Sequence, residues 1–317
     1  MKPLRRLMIV LTAGVAAMAL APAAQAAPDT VLNSPYLYQW GAKPNPVTVM
    51  NQTGVKAFTL AFILSDGGCN PAWDGTRPLT GADATLIRNI RAAGGDVIPS
   101  FGGWSGRKLG QHCSSATALA DAYQKVITAY QLKAIDIDIE AAEFENAAVQ
   151  DRVLGALKIV KQNNPDLKTV VTFPTNRSGP NTWGLRLITR SKELAAPVDV
   201  WAVMPFNFGG PSDLVAGTKS AVDGLKNHVK TTFGLTDDAA YRRSGLSSMN
   251  GITDTGETVT TAQFLAIRDW STTKHLGRFT FWATNRDKGN CGGSGSDCSG
   301  TNQGTYDFTK IVAGYTG

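Results

Sequence analysis

The heptapeptide Ala134-Ile135-Asp136-Ile137-Asp138-Ile139-Glu140 sets three carboxylates two residues apart. β-Branched isoleucine favours extended chain, and a strand sends successive side chains to opposite faces. Asp136, Asp138 and Glu140 therefore share one face, and Ile135, Ile137 and Ile139 the other. Carboxylates crowded at this spacing repel, and burial adds to the cost of the charged form, so at least one pKa rises. A carboxyl that keeps its proton near neutral pH is what general acid catalysis requires. The pattern alone fits a surface strand with an acidic face at least as well. A calcium site is disfavoured, because isoleucine between the acids makes a rigid strand where calcium takes a Gly-containing, oxygen-rich loop.

The elements around this stretch decide between those readings. Short β-rich runs recur at residues 35–40, 57–64, 96–103, 134–140, 169–175, 198–208, 245–252 and 279–285. Between most of them lie amphipathic candidate helices, such as residues 82–95, 116–130 and 150–163. Eight strands alternating with helices over about 250 to 300 residues is the arithmetic of an α/β fold of (β/α)8 TIM-barrel type. No Gly-rich linker divides the chain, so a single catalytic domain over 27–317 is expected. A doubly wound sheet is the weaker choice, since no GxGxxG follows an early strand. In a barrel, alternate strand residues point inward and active sites gather at the C-terminal strand ends. The isoleucines then face the helices, and Glu140 stands highest, at the mouth.

Lys2, Arg5 and Arg6 precede an apolar run that leads to Ala24-Gln25-Ala26, a small-x-small cleavage pattern. The run is shorter than the roughly 20 residues a bilayer span needs, so residues 1–26 are expected to be a secretory signal peptide and the mature protein soluble, exported and without a membrane partner. The formal net charge of +6 falls to +3 when those three basic residues leave. That mild excess, without a basic tract, argues against a nucleic-acid partner. Cys69, Cys113, Cys291 and Cys298 fit two disulfides in an exported chain, with three connectivities open. Cys291 and Cys298 bracket a Gly/Ser-rich loop, so a local bridge is expected there and Cys69–Cys113 follows by elimination. No CxxC occurs and the three histidines are scattered, so no metal and no cofactor is expected. A monomer is the expected state.

The chain resembles bacterial chitinases of glycoside hydrolase family 18. The similarity runs over nearly the whole mature sequence, from Ser34-Pro35-Tyr36-Leu37-Tyr38-Gln39-Trp40 to Phe281-Trp282-Ala283-Thr284-Asn285-Arg286-Asp287. Ser100-Phe101-Gly102-Gly103 matches the family's SxGG on the third strand, and Asp136-x-Asp138-x-Glu140 the end of its DxxDxDxE on the fourth. The resemblance implies cleavage of β-1,4 bonds between N-acetylglucosamine units with retention, the substrate's own acetamido group serving as nucleophile. Glu140 would be the acid and base, Asp138 would orient the acetamido group while sharing a proton or hydrogen bond with Asp136, and Trp282 would lie under the sugar at the cleavage site. Trp40 and Trp104 could extend that platform. Gly102 and Gly103 let backbone approach the acidic strand closely, and Ser100 can hydrogen-bond a buried Asp.

The departures carry their own expectations. Lys133 stands where the full motif has its first Asp. On the sixth strand, where relatives commonly read Met-x-Met-Asp-Tyr-Gly, this chain has Met204-Pro205-Phe206-Asn207-Phe208-Gly209. The family's Tyr hydroxyl donates to the acetamido oxygen and its Asp contacts substrate, so Asn207 and Phe208 imply a loss of about 3 kcal/mol of transition-state stabilisation and a slower enzyme. Two other readings stay open: a catalytically weak chitin- or glycan-binding protein, and an endo-β-N-acetylglucosaminidase acting on N-glycans.

Overall fold

The computed structural model describes residues 30–210 and 213–317; the expected leader, residues 1–26, lies outside them. Eight strands run parallel in one sheet: β1 (Tyr36–Tyr38), β2 (Ala57–Ser65), β3 (Asp96–Gly102), β4 (Ala134–Asp138), β5 (Lys168–Pro174), β6 (Val200–Met204), β7 (Ser244–Met249) and β8 (Arg278–Trp282). Each is followed by a helix, α1 (Pro46–Thr53), α2 (Ala82–Ala92), α3 (Ala116–Tyr130), α4 (Ala147–Asn163), α5 (Thr182–Glu193), α6 (Leu214–Phe233), α7 (Thr261–Lys274) and α8 (Asp307–Ala313). The eight-fold alternation is a single-domain (β/α)8 TIM barrel, as the spacing of apolar runs predicts.

Local chemistry sets the helix starts. Asn45, Ser115, Asn146, Asn181, Asp213 and Thr260 each accept backbone N–H groups of the first turn, which answers donors a helix cannot satisfy internally. The isoleucines of β4 behave as the alternation demands. Ile135, Ile137 and the following Ile139 are buried in the main core, which also takes Leu119 and Tyr123 of α3 and Val153 and Leu157 of α4. A separate apolar layer inside the barrel comprises Val31, Ile98, Ala134, Val170, Val200 and Ala202.

Neighbouring strands pair in sequence order from β1 to β8, and the seam between β8 and β1 is closed by individual bonds. The Phe279 N–H donates to Leu32 O at 2.8 Å, Thr280 Oγ1 to Ser34 O at 2.7 Å, and Asn285 bridges the Tyr38 N–H and carbonyl. Arg278, fully buried, adds donations to Val31 O, Ser34 and Thr59.

Three differences from the sequence reading bear on the site. β4 stops at Asp138, because Ala141 takes a left-handed φ of 49° and turns the chain into a short helix, Ala141–Phe144, for which Glu140 is the capping residue. β6 stops at Met204, since Pro205 has no N–H to continue the ladder. β2 carries a register shift between Ala61 and Ile63. Before it Thr59 and Ala61 point inward, and after it Phe62 and Leu64 join the cluster at the mouth, as a bulge reverses side-chain parity.

The helix-facing isoleucines give a test. Ile137→Ala, at a position 1% exposed, is expected to lower the unfolding free energy by about 2–5 kcal/mol, read as a lower urea midpoint with an unchanged slope.

Candidate active site

The carboxylates of β4 rise through the barrel interior to its C-terminal mouth, and each meets different surroundings. Asp136 is completely buried and accepts three hydroxyls from three strands: Tyr36 of β1 at 2.8 Å, Ser100 of β3 at 2.6 Å and Thr172 of β5 at 2.7 Å. Three hydroxyls converging on one carboxyl occupy both of its oxygens. Asp138, 3% exposed, has no hydrogen-bond partner at Oδ1. The hydrogen bond to Asp136 expected from sequence is not among its contacts, because the oxygens of Asp136 are already taken by hydroxyls. Burial first, then the nearby charges of Glu140 and Asp136, push the Asp138 pKa well above the carboxylate range, against an opposing pull from Lys108. Glu140 is half-buried, and desolvation raises its pKa to about 7, with Lys108 opposing and Asp254 adding to the rise. The ladder thus separates into a hydroxyl-caged lower member, a proton-holding middle member and an acid poised near neutrality.

Glycine permits this packing at one point above all. Gly102 has φ +110°, and a Cβ there would lie 2.2 Å from the carbonyl oxygen of Asp138. The Gly103 N–H donates to that carbonyl at 2.8 Å, locking the end of β3 onto the end of β4. Gly103 itself faces the Phe62 ring. Neither glycine lines the cleft; both act through backbone approach.

Above the ladder opens a cleft of about 940 Å³. Asp138 and Glu140 lie in its lining with Trp282, Trp40, Trp104, Met204 and Asn207, all named from sequence. Trp282 stacks on Phe62 with centroids 5.6 Å apart and planes 6° apart, and on Tyr38 at 5.3 Å. Trp40 stacks on Tyr38 at 4.5 Å, and Trp104 is 69% exposed at the rim. Asn207 turns back to a neighbouring loop, donating through Nδ2 to Asp254 at 3.0 Å.

Phe208 corrects the sequence reading. It is absent from the cleft lining, its ring packs under the Arg177 guanidinium at 5.2 Å and faces Gly217 of α6. Phe206, not singled out from sequence, lines the cleft instead. The side chain at position 208 therefore takes no part in the cleft. Sequence reasoning also passed over Tyr36, Thr172, Phe62 and Asp254. The first two were legible in principle, as hydroxyls in otherwise apolar strands. Phe62 depends on the bulge and Asp254 on a loop path, neither of which leaves a periodic signal.

Both expected disulfides form, Cys69–Cys113 and Cys291–Cys298.

No protein-family profile matches the chain. Among curated proteins it is 25% identical over 263 residues to a probable bifunctional chitinase/lysozyme of Escherichia coli, covering 77% of this chain and 29% of that protein. It is 24% identical over 249 residues to Endochitinase 11 of Metarhizium anisopliae, covering 74% and 48%. The chain thus spans less than half the length of either curated relative. Among solved structures, active domain 2 of a thermostable chitinase from Pyrococcus furiosus, complexed with chito-oligosaccharides, superposes with a TM-score of 0.83 at 27% identity, covering 94% of this chain and 100% of that one. The likeness to family 18 chitinases carried by the motifs on β3 and β4 extends to these relatives, and further family 18 chitinases share the fold.

The close approach at Gly102 gives a test of the site's construction. Gly102→Ala must displace backbone and is expected to lower stability by about 2 kcal/mol or more. Gly256→Ala, at φ +85° with nothing within 4 Å, should lose only about 1 kcal/mol for its left-handed backbone. Equal losses in denaturant unfolding would contradict the assignment.

Proposed function

We propose that this chain, a relative of family 18 chitinases, is an exported chitinase that hydrolyses β-1,4 bonds between N-acetylglucosamine units with retention of configuration. The observation that carries the reading is Glu140, half-buried at the mouth with its pKa raised to about 7, above Asp138 and beside the Trp282–Phe62 stack. The two disulfides and the leader pattern of residues 1–26 support the exported location.

In the first step Glu140 gives its proton to the glycosidic oxygen as the C1–O bond breaks. The acetamido carbonyl oxygen of the same sugar attacks C1 from the opposite face, and an oxazolinium forms. Asp138 Oδ1, which has no hydrogen-bond partner among the described residues, accepts the acetamido N–H and holds the carbonyl oxygen toward C1. Glu140, now a carboxylate, takes a proton from the water that attacks C1 and reopens the ring, so both the acid and the configuration are restored. The ring of Trp282 offers an apolar floor to the sugar face, where the hydrophobic side of a pyranose loses water on contact.

Glu140→Gln should lower release of chito-oligosaccharides by at least about 100-fold while leaving the fold intact. Since the proton on Glu140 is needed for the first step, kcat/KM of the parent should hold below pH of about 7 and fall as that proton is lost above it. A variant as active as the parent would overturn the assignment. Products from an N-glycoprotein but not from chitin oligomers would move it to the N-glycan core.

A further inference from the structure

Behind the acid pair lies a second charged layer that the mechanism above does not use. Lys108, in the turn after β3, is 3% exposed, and all three of its ammonium donors go to carbonyls of that turn: Gly102 at 3.3 Å, Gly103, and Ser105 at 2.6 Å. Those carbonyls belong to the segment that Gly102 and Gly103 press against Asp138. Glu143, one helical turn past Glu140, is also 3% exposed; its Oε1 accepts the Gly110 N–H at 3.1 Å, and its Oε2 has no hydrogen-bond partner. A Cβ on Gly110 would lie 2.2 Å from Glu143 Oε1, and one on Gly102 3.4 Å from Oε2. The carboxyl is thus wedged between the two ends of the segment that Lys108 ties together.

We propose that Lys108 and Glu143 are positioning residues for the acid pair, a buried cation and a buried carboxyl that clamp the turn after β3 onto the end of β4 from behind the cleft. An ammonium held with no water around it acts on neighbouring charges more strongly than one at the surface. Lys108 draws down the pKa of Asp138, Glu140 and Glu143, and their charges in turn oppose the fall that burial imposes on Lys108. The other groups facing this cluster are Asp136 on β4, Tyr36 on β1, Tyr123 on α3, Arg152 on α4, which donates to the Gly110 carbonyl at 2.6 Å, and Asp254 after β7, itself opposite Arg286. Asp254 raises the pKa of Glu140 and Asp136 that of Asp138, which leaves Lys108 as the cation acting on both acids.

The inference rests on the proposed function, so its test reads Glu140 both with and without turnover. The carboxyl carbon of Glu140, assigned by its loss in Glu140→Gln, is titrated by 13C NMR in the parent, Lys108→Met, Lys108→Arg and Glu143→Gln, alongside kcat/KM against pH on a chitin oligomer. Lys108→Met should raise the Glu140 midpoint by roughly one pH unit and move the alkaline limb of kcat/KM with it. Lys108→Arg, which keeps charge and donors, should restore the parent midpoint. Should Lys108→Met fail to fold, Glu143→Gln carries the test through the Asp138 carboxyl carbon, whose midpoint should shift downward as an acid that raises it is lost. An unmoved midpoint in folded Lys108→Met or in Glu143→Gln, with activity lowered equally at every pH, would reduce the pair to structural packing and overturn the proposal. A moved midpoint in a chain that cleaves no chitin would keep the clamp and refute the chitinase reading instead.

Discussion

Three like charges at two-residue spacing inside a barrel are an electrostatic conflict, and most of the surrounding structure is arranged to resolve it. In a low-dielectric interior, adjacent carboxylates cannot all ionise without strong compensation. Here the compensation is deliberately unequal. Asp136 receives hydroxyls from β1, β3 and β5, Asp138 receives none at Oδ1, and Glu140 reaches the cleft. The proton is driven up the ladder, away from the hydroxyl cage and toward the mouth.

The barrel serves this by placing donors on several different strands at one height. Register does part of the work, with Ser100 opposite Asp136 and Gly102 opposite Asp138 across one edge, and Thr172 opposite Asp138 across the other. Tyr36 reaches Asp136 from β1, whose seam with β8 depends on Asn285 and the buried Arg278. A change that loosened the seam would therefore act on the acid ladder from a distance, through one phenolic hydroxyl.

The parts of this arrangement that follow from simple periodicity were legible in the sequence. β4 is short and straight, so the parity of its acids and isoleucines predicts their faces, and the isoleucines are indeed in the main core. The eight-fold alternation was visible because apolar runs are punctuated by Gly, Pro and capping residues. Legibility ends where parity breaks. The bulge in β2 turns Phe62 and Leu64 toward the mouth, and no composition signal marks a one-residue slip. After Pro205 the chain has left β6, and with Asn207 at φ +57° the alternation that would have sent Phe208 inward no longer holds. Phe206 takes the cleft position in its stead. Lys108 sits in a turn, where burial of an ammonium is decided by the path of the chain rather than by pattern.

The central claim is that position on β4 sets role: hydroxyls from three strands cage Asp136, while Asp138 and Glu140 hold protons. A neutron structure of deuterium-exchanged protein at pH 5.5 reads this directly. The account predicts deuterium on the carboxyls of Asp138 and Glu140, with Tyr36, Ser100 and Thr172 all pointing theirs at Asp136. A bare Asp138 beneath a protonated Glu140 would contradict it.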